Sequence, residues 1–276
     1  MSPTLQLIAP AKLNLFLHIT GRRSDGYHTL QTLFQLLDWG DSMSFTANTS
    51  GELHLDMAGR PLPDGDNLIL RAARLLQRDG LGANIHCHKR IPIGGGLGGG
   101  SSNAATTLLA LNHLWQLGLS QLQLQSLGTT LGADVPVFVG GHSAWAEGIG
   151  EQLAPVDLPT RWYLVIKPAC QVHTGEIFCD SQLTRDTPPI TMAAVFQGTS
   201  HNDCEAVVVR RYPEVGAALQ WLGQYAPARL TGTGACIFAA FNTEAEASKI
   251  AADVPEAWQR FIARGVNVSP TLTALA

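Results

Sequence analysis

Pro92-Ile93-Gly94-Gly95-Gly96-Leu97-Gly98-Gly99-Gly100-Ser101-Ser102-Asn103 sets six glycines among seven residues, followed by three small polar ones. Without a Cβ, such a backbone takes positive φ angles at no steric cost and comes close to a ligand. Ser101, Ser102 and Asn103 read as caps for a helix over Ala104 to Trp115, where Leu108, Leu111 and Trp115 recur at helical spacing. A glycine loop running into a helix start gathers N–H groups and the positive end of the helix dipole at one point. That combination binds phosphate. A plain glycine-rich surface turn is the alternative, but such turns rarely lead straight into a capped apolar helix.

The kind of phosphate loop follows by exclusion. Gly94, Gly96 and Gly99 satisfy G-x-G-x-x-G after a strand expected over Ala83 to Ile93, which suggests a dinucleotide site. That site needs an acidic residue about 20 positions further on for the ribose, and positions 80 to 133 hold no Asp or Glu. No Gly-Lys-Ser/Thr is present, so the P-loop of that NTPase class is excluded. A helix rather than a strand follows the loop, unlike the glycine loop of a protein kinase.

Composition narrows the class further. The 276 residues suffice for one large or two ordinary domains. A net charge of −4 with scattered basic residues gives no nucleic-acid footprint. The five cysteines (87, 170, 179, 204 and 236) form no CxxC pair, and reduced thiols in a cytoplasmic protein are the expectation. No stretch approaches the ~20 apolar residues of a membrane span, and no basic segment precedes an apolar run at the N-terminus.

Strands and helices mix along the chain without a repeat. Lys12 to Ile19 alternates, with Leu13, Leu15, Leu17 and Ile19 on one face and Lys12, Asn14, Phe16 and His18 on the other. A turn-rich segment over Gly21 to Gly26 leads to Tyr27-His28. Helices are expected over Asn67 to Arg78, capped by Asp66 or Asn67, over Ser120 to Leu131, and over Ala206 to Leu222. Arg229 to Phe241 carries a second glycine turn into a strand. Prolines at 155, 159, 168, 188 and 189 mark a looser region, and a boundary near residue 155 divides the chain into 1–155 and 156–276.

Two residues stand out chemically. Asp134, in Gly132-Ala133-Asp134-Val135-Pro136, ends the acid-free stretch and suits a general base, or else caps a turn or helix. Lys12 is either a cation of a site or the protective lysine of an edge strand. Together they gain meaning, since a lysine beside an aspartate keeps the carboxylate ionised and steadies charge developing on an oxygen. His86 and His88 alternate in one strand and could ligate a metal, but companion ligands for zinc are not apparent, so side chains of an edge strand are the expectation. Gly232-Thr233-Gly234 approaches a ligand or merely shapes a turn.

Three segments resemble, in order, the three motifs of the galactokinase, homoserine kinase, mevalonate kinase and phosphomevalonate kinase superfamily. They are Pro10 to Asn14, Pro92 to Ser102 and Thr231 to Ala235. Within it, Gly21 to Asp41, Leu131 to Phe138 and Ser200 to Glu205 are similar to the family of 4-diphosphocytidyl-2-C-methyl-D-erythritol kinases, and the likeness runs from about Pro10 to Pro270. The resemblance implies a two-domain α+β fold. The N-terminal domain would be ribosomal-protein-S5-like, holding ATP, and the C-terminal one ferredoxin-like, holding substrate. It implies phosphorylation of the 2-hydroxyl of the cytidine-linked methylerythritol by ATP with Mg²⁺, in non-mevalonate isoprenoid precursor synthesis, by a cytoplasmic monomer or weak homodimer free of nucleic acid and membrane.

The same resemblance assigns Lys12 and Asp134 as the catalytic pair, and Pro92, Ile93, Gly94, Gly95, Gly96, Leu97, Gly98, Gly99, Gly100, Ser101 and Ser102 as the phosphate cradle. Asn67 and Leu68 fall at the adenine side and Lys89 at the base of the loop strand. Tyr27 and Phe178 match aromatics that sandwich the base, with His28 on its edge, and Asn14 and Thr174 fall in substrate positions. Ligands for the metal are not apparent. A sister kinase for mevalonate or homoserine would share the motifs without needing Gly26-Tyr27-His28, and a nucleotide sensor would not need both Lys12 and Asp134.

Overall fold

The computed structural model describes residues 4–58 and 67–276. Two long antiparallel strands, β1 (Thr4–Arg22) and β2 (His28–Asn48), open the chain. The turn between them needs a glycine, since Gly26 has φ of +91°. Then come β3 (Leu53–Asp56), α1 (Leu68–Leu76), β4 (Gly82–His88), α2 (Gly99–Leu114), α3 (Gln121–Thr129), α4 (Val135–Gly140), β5 (Ala144–Glu147) and β6 (Gln152–Pro155). The C-terminal portion runs β7 (Trp162–Lys167), α5 (Thr174–Cys179), α6 (Met192–Phe196), α7 (Glu205–Arg211), α8 (Pro213–Leu222), β8 (Arg229–Leu230), β9 (Ile237–Phe241), α9 (Glu244–Ala251), β10 (Gln259–Val266) and α10 (Pro270–Leu275).

The sheet order is β3-β4-β2-β10-β7-β9-β8, with β1 and β5 also on β2. Taken alone, β7 to β10 stand in the order 4-1-3-2, all neighbours antiparallel, with helices on the two crossovers. That is the ferredoxin-like arrangement. β10 pairs with both β7 and β2, so the last strand stitches the two sets of strands into one sheet.

Among the described residues, three of the four buried clusters follow this layout. α1, α2 and α4 cover one face through Ile69, Leu108, Leu111 and Phe138 against Leu36, Phe45 and Ile85. Each such fully buried side chain contributes about 1.5–3 kcal/mol. Val208, Val215 and Leu222 cover Leu164, Ile166 and Ile237 in the C-terminal part. Between them Leu13, Ile91, Leu97, Val165, Cys236 and Phe238 pack together beneath the glycine loop.

Several expectations need correction. α2 begins five residues earlier than expected, because Gly98 in the left-handed conformation (φ +72°) turns the loop into the helix without any side-chain cap. Ser101, Ser102 and Asn103 are therefore helical residues and not caps. The strand expected to Ile93 stops at His88, because the N–H groups of Arg90 and Ile91 leave the ladder for Asp41 Oδ1, at 2.6 and 2.8 Å. The single helix expected over Ala206 to Leu222 breaks at Tyr212, since a residue before proline is pushed out of the helical region. Asn67 caps α1 by accepting from the Ile69 N–H; Asp66 lies outside the described residues. His86 and His88 lie on a strand flanked by β3 and β2, and His86 Nδ1 pairs with Asp56 Oδ2 at 3.1 Å.

β1 departs from simple alternation. Its register against β2 shifts between Asn14 and Leu17, which brings Leu17 to the same cavity that Lys12 and Asn14 line. The supposed polar face is also buried: Lys12, Asn14, Phe16 and His18 are all closed off from solvent.

Candidate active site

The glycine loop, the β1 face and the Gly232-Thr233-Gly234 turn line one cavity of about 810 Å³. The loop lies flush on its neighbours. A Cβ at Gly95 would come 2.7 Å from Cys236 Sγ, at Gly96 2.1 Å from the Thr231 carbonyl oxygen, and at Gly98 2.8 Å from the Phe138 ring.

Tie-downs fix which way the peptides face. The Gly94 carbonyl accepts from the Ala235 N–H at 3.1 Å and the Gly95 carbonyl from the Cys236 N–H at 3.2 Å. The Gly96 carbonyl accepts from Lys12 Nζ, and the Leu97 carbonyl from the Lys12 N–H, both at 3.1 Å. In a trans peptide the N–H points opposite to the C=O. Carbonyls held on the protein side therefore turn the N–H groups of Gly95, Gly96, Leu97 and Gly98 to the other side of the loop. The first turn of a helix adds N–H groups with no intrahelical partner, and Gly99, Gly100 and Ser101 of that turn line the cavity. This cradle fits the phosphates of a nucleotide.

Lys12 Nζ bonds Asn14 Oδ1 at 2.5 Å, lies 5.3 Å above the Phe34 ring, and reaches Asp134 Oδ2 at 3.4 Å. The lysine side chain is 3% exposed and the aspartate 34%, which rules out a protective edge lysine. Asp134 occupies the N-cap position of α4 yet makes no capping bond, so its carboxylate is left to Lys12 and the cavity. Asn14 is locked in turn: its amide donates to Thr32 Oγ1 at 2.9 Å, and its N–H donates to Thr231 Oγ1 at 3.0 Å.

Most of the expected residues meet here. Lys12, Asn14, Asn67, Leu68, Lys89, Pro92 to Ser101, Asp134, Thr174 and Phe178 line the cavity. Thr174 Oγ1 and Thr233 Oγ1 are 2.9 Å apart, and the Gly232-Thr233-Gly234 turn contributes to the lining. Ser102 does not line it: two positions past the loop on a helix, its side chain turns inward and is buried with Oγ unpartnered. Lys89 is tied to buried Asp41 and donates to Asn103 Oδ1 at 2.7 Å. Neither Tyr27, 59% exposed, nor His28 lines the cavity; His28 stacks on the lining residue Phe178 with centroids 5.2 Å apart. Burial, and then the cations of Arg185 and Arg22, lower the pKa of His28 below the usual imidazole value.

Other contributors escaped the sequence reading. Thr32 and Phe34 shape the Lys12 pocket, and Asp41 joins β2, the Arg90–Ile91 turn and α2. All three lie within the Gly21 to Asp41 segment, which marked the stretch but singled out none of them.

A mixed fold with a glycine-loop cradle beside a lysine–aspartate pair defines a small-molecule kinase of the GHMP class. The GHMP kinases N terminal domain matches residues 67–142, and the GHMP kinases C terminal domain residues 191–260. The chain is 58% identical over 271 residues to the 4-diphosphocytidyl-2-C-methyl-D-erythritol kinase of Pseudomonas syringae pv. syringae (strain B728a), covering 97% of this chain and 96% of that one. It is 57% identical over 274 residues to the enzyme of that name from Pseudomonas aeruginosa (strain LESB58), with 98% and 96% covered. A crystal structure of 4-(cytidine 5'-diphospho)-2C-methyl-D-erythritol kinase superposes with a TM-score of 0.80 at 31% identity, over 95% of this chain and 99% of that one. Methanococcus jannaschii mevalonate kinase shares the fold alone, with a TM-score of 0.69 at 14% identity over 97% and 99% of the chains. The chain belongs to the 4-diphosphocytidyl-2-C-methyl-D-erythritol kinase family.

Proposed function

We propose that this chain transfers the γ-phosphoryl group of ATP to the 2-hydroxyl of 4-diphosphocytidyl-2-C-methyl-D-erythritol, a step of non-mevalonate isoprenoid precursor synthesis. The observation that carries the reading is the 3.4 Å Lys12–Asp134 pair on the wall of the glycine-loop cavity. Asp134 receives or orients the proton of the attacking hydroxyl. Lys12 faces that carboxylate at 3.4 Å and offsets charge growing on the acceptor oxygen. Gly94 to Ser101 hold phosphates through N–H groups, with Asn67 and Leu68 at the adenine side and Lys89 beneath the loop.

Among the described residues that line the cavity, Asp134 is the only carboxylate, and no described group of three His, Cys, Asp or Glu side chains is placed to hold an ion. Such a lining fits Mg²⁺ carried by nucleotide phosphates, as is usual for this ion, and does not fit a protein-built cage. When bound, the ion supplies charge compensation. Asn14, Thr174, Phe178, His28 and Tyr27 contact the cytidine-linked substrate; stacking on the base is worth roughly 1–3 kcal/mol and anchors the end remote from the reacting alcohol. Residues 1–155 form the ATP-binding part and 156–276 the substrate-binding part of a cytoplasmic monomer or weak homodimer. No described helix is long and apolar enough to cross a membrane.

ADP release with Mg-ATP tests the proposal against 4-diphosphocytidyl-2-C-methyl-D-erythritol, mevalonate and homoserine. Turnover with the cytidine substrate alone is expected. Turnover with another alcohol would keep the kinase and discard the substrate, and silence with all three would make the protein a nucleotide sensor.

A further inference from the structure

Arg185 is not part of the cavity lining, yet its guanidinium is committed to the wall that carries Phe178. Nη2 donates to the carbonyl oxygens of Phe178 and Asp180, at 2.8 and 2.7 Å, and Nη1 to that of Leu183 at 2.9 Å. Nε donates to Nε2 of His28 at 3.0 Å, and His28 stacks on Phe178. A guanidinium has no acceptor and does not deprotonate in proteins. Nε2 of His28 must therefore be the bare, accepting nitrogen, and the single proton of the neutral ring resides on Nδ1.

We infer that Arg185 is a positioning residue that fixes His28 as the Nδ1–H tautomer, so that the ring reads an acceptor on the substrate's base. It thereby selects cytosine, whose N3 accepts, over uracil, whose N3–H donates. This rests on the cytidine substrate proposed above. A doubly protonated ring would set an N–H against the Arg185 N–H, and the lowered pKa of His28 agrees with a neutral ring. The three backbone carbonyls held by the same guanidinium fix its fork in place, so the tautomer is imposed by the chain fold and not by the ligand.

The test combines spectroscopy with specificity. Long-range ¹⁵N–¹H correlation, with His28→Ala identifying the signal, reports a protonated Nδ1 and bare Nε2 in the wild-type protein. In Arg185→Ala the ring shifts toward the Nε2–H form, and kcat/KM for the cytidine substrate over its uridine counterpart falls about tenfold, the worth of one good hydrogen bond. The change is carried by KM of the nucleotide-linked substrate, with KM for ATP unmoved. If Arg185 only props up the Phe178 wall, the uridine and cytidine substrates weaken equally and the tautomer stays, which overturns the proposal. Should Arg185→Ala fail to fold, the wild-type protein decides: an Nε2–H His28, or equal use of the two substrates, is the overturning result. Absence of any wild-type turnover of the cytidine substrate sinks the substrate reading and, with it, the base selection; normal turnover with an Nε2–H ring sinks the role of Arg185 alone.

Discussion

Gly94→Ala and Gly96→Ala make a matched pair of perturbations, because the two glycines share a conformation and differ in the space around them. Their φ angles are +65° and +73°, so each alanine incurs the left-handed penalty of about 1–2 kcal/mol. Each also recovers about 0.4–1 kcal/mol by restricting the unfolded chain. At Gly94 nothing lies closer to the new Cβ than 3.9 Å, whereas at Gly96 the Thr231 carbonyl oxygen lies at 2.1 Å and must retreat to at least 3.0 Å. Forcing a methyl into a packed site costs about 1–3 kcal/mol more. Gly96→Ala should therefore be less stable than Gly94→Ala by about 1–3 kcal/mol in urea unfolding, at unchanged m. The same movement displaces the Gly96 carbonyl that anchors Lys12 Nζ, and a misplacement near 1 Å costs on the order of 100-fold in kcat/KM. Equal stability of the two variants, or wild-type turnover by Gly96→Ala, would refute the claim that the loop is clamped on the Thr231–Gly234 turn.

Two further outcomes are expected. Asp134→Asn lowers kcat by about 10²–10⁴ with KM for ATP near the wild-type value; retained turnover would remove the carboxylate from the proton's path. Arg210, the Gln182 N–H and Arg211 hold the Asp180 carboxyl well below the usual carboxylate range, which stabilises the fold above the unfolded pKa near 3.9 and is lost as pH falls below it. In Arg210→Ala the loss of stability between pH 7 and pH 3 should be shallower than in the wild-type protein; parallel curves would show that Asp180 carries none of the acid sensitivity.

The site was legible where one residue's chemistry clashed with its surroundings. A lysine within an apolar strand and an aspartate ending a long acid-free stretch are such clashes, and both proved to be a joined pair. The start of α2 was misread because serines and an asparagine signal caps, whereas the backbone of Gly98 performs the turn, leaving Ser101 to the cavity wall and Ser102 and Asn103 buried. The bulge in β1 had no signature at all: it arises from pairing against β2, so the cavity side of Leu17 could not be read from alternation. Arg185 was equally silent, since its partners are three backbone carbonyls and a ring 157 positions away.

The Lys12–Asp134 pair is built unevenly, and the unevenness argues for chemistry over stability. A half-open pair at 3.4 Å contributes about 0–1 kcal/mol at most, too little to repay the desolvation of a nearly buried ammonium. What holds Lys12 in place instead is the neutral shell of Asn14 Oδ1, the Gly96 carbonyl and the Phe34 ring. Those partners would satisfy the lysine with Asp134 absent. The aspartate is the partner left accessible, uncapped at the head of α4 and turned to the cavity. A charge whose position is secured without its counter-ion stays in place while that counter-ion engages a third group. This division, one member immobilised by the fold and the other exposed to what enters, is the arrangement a proton acceptor requires.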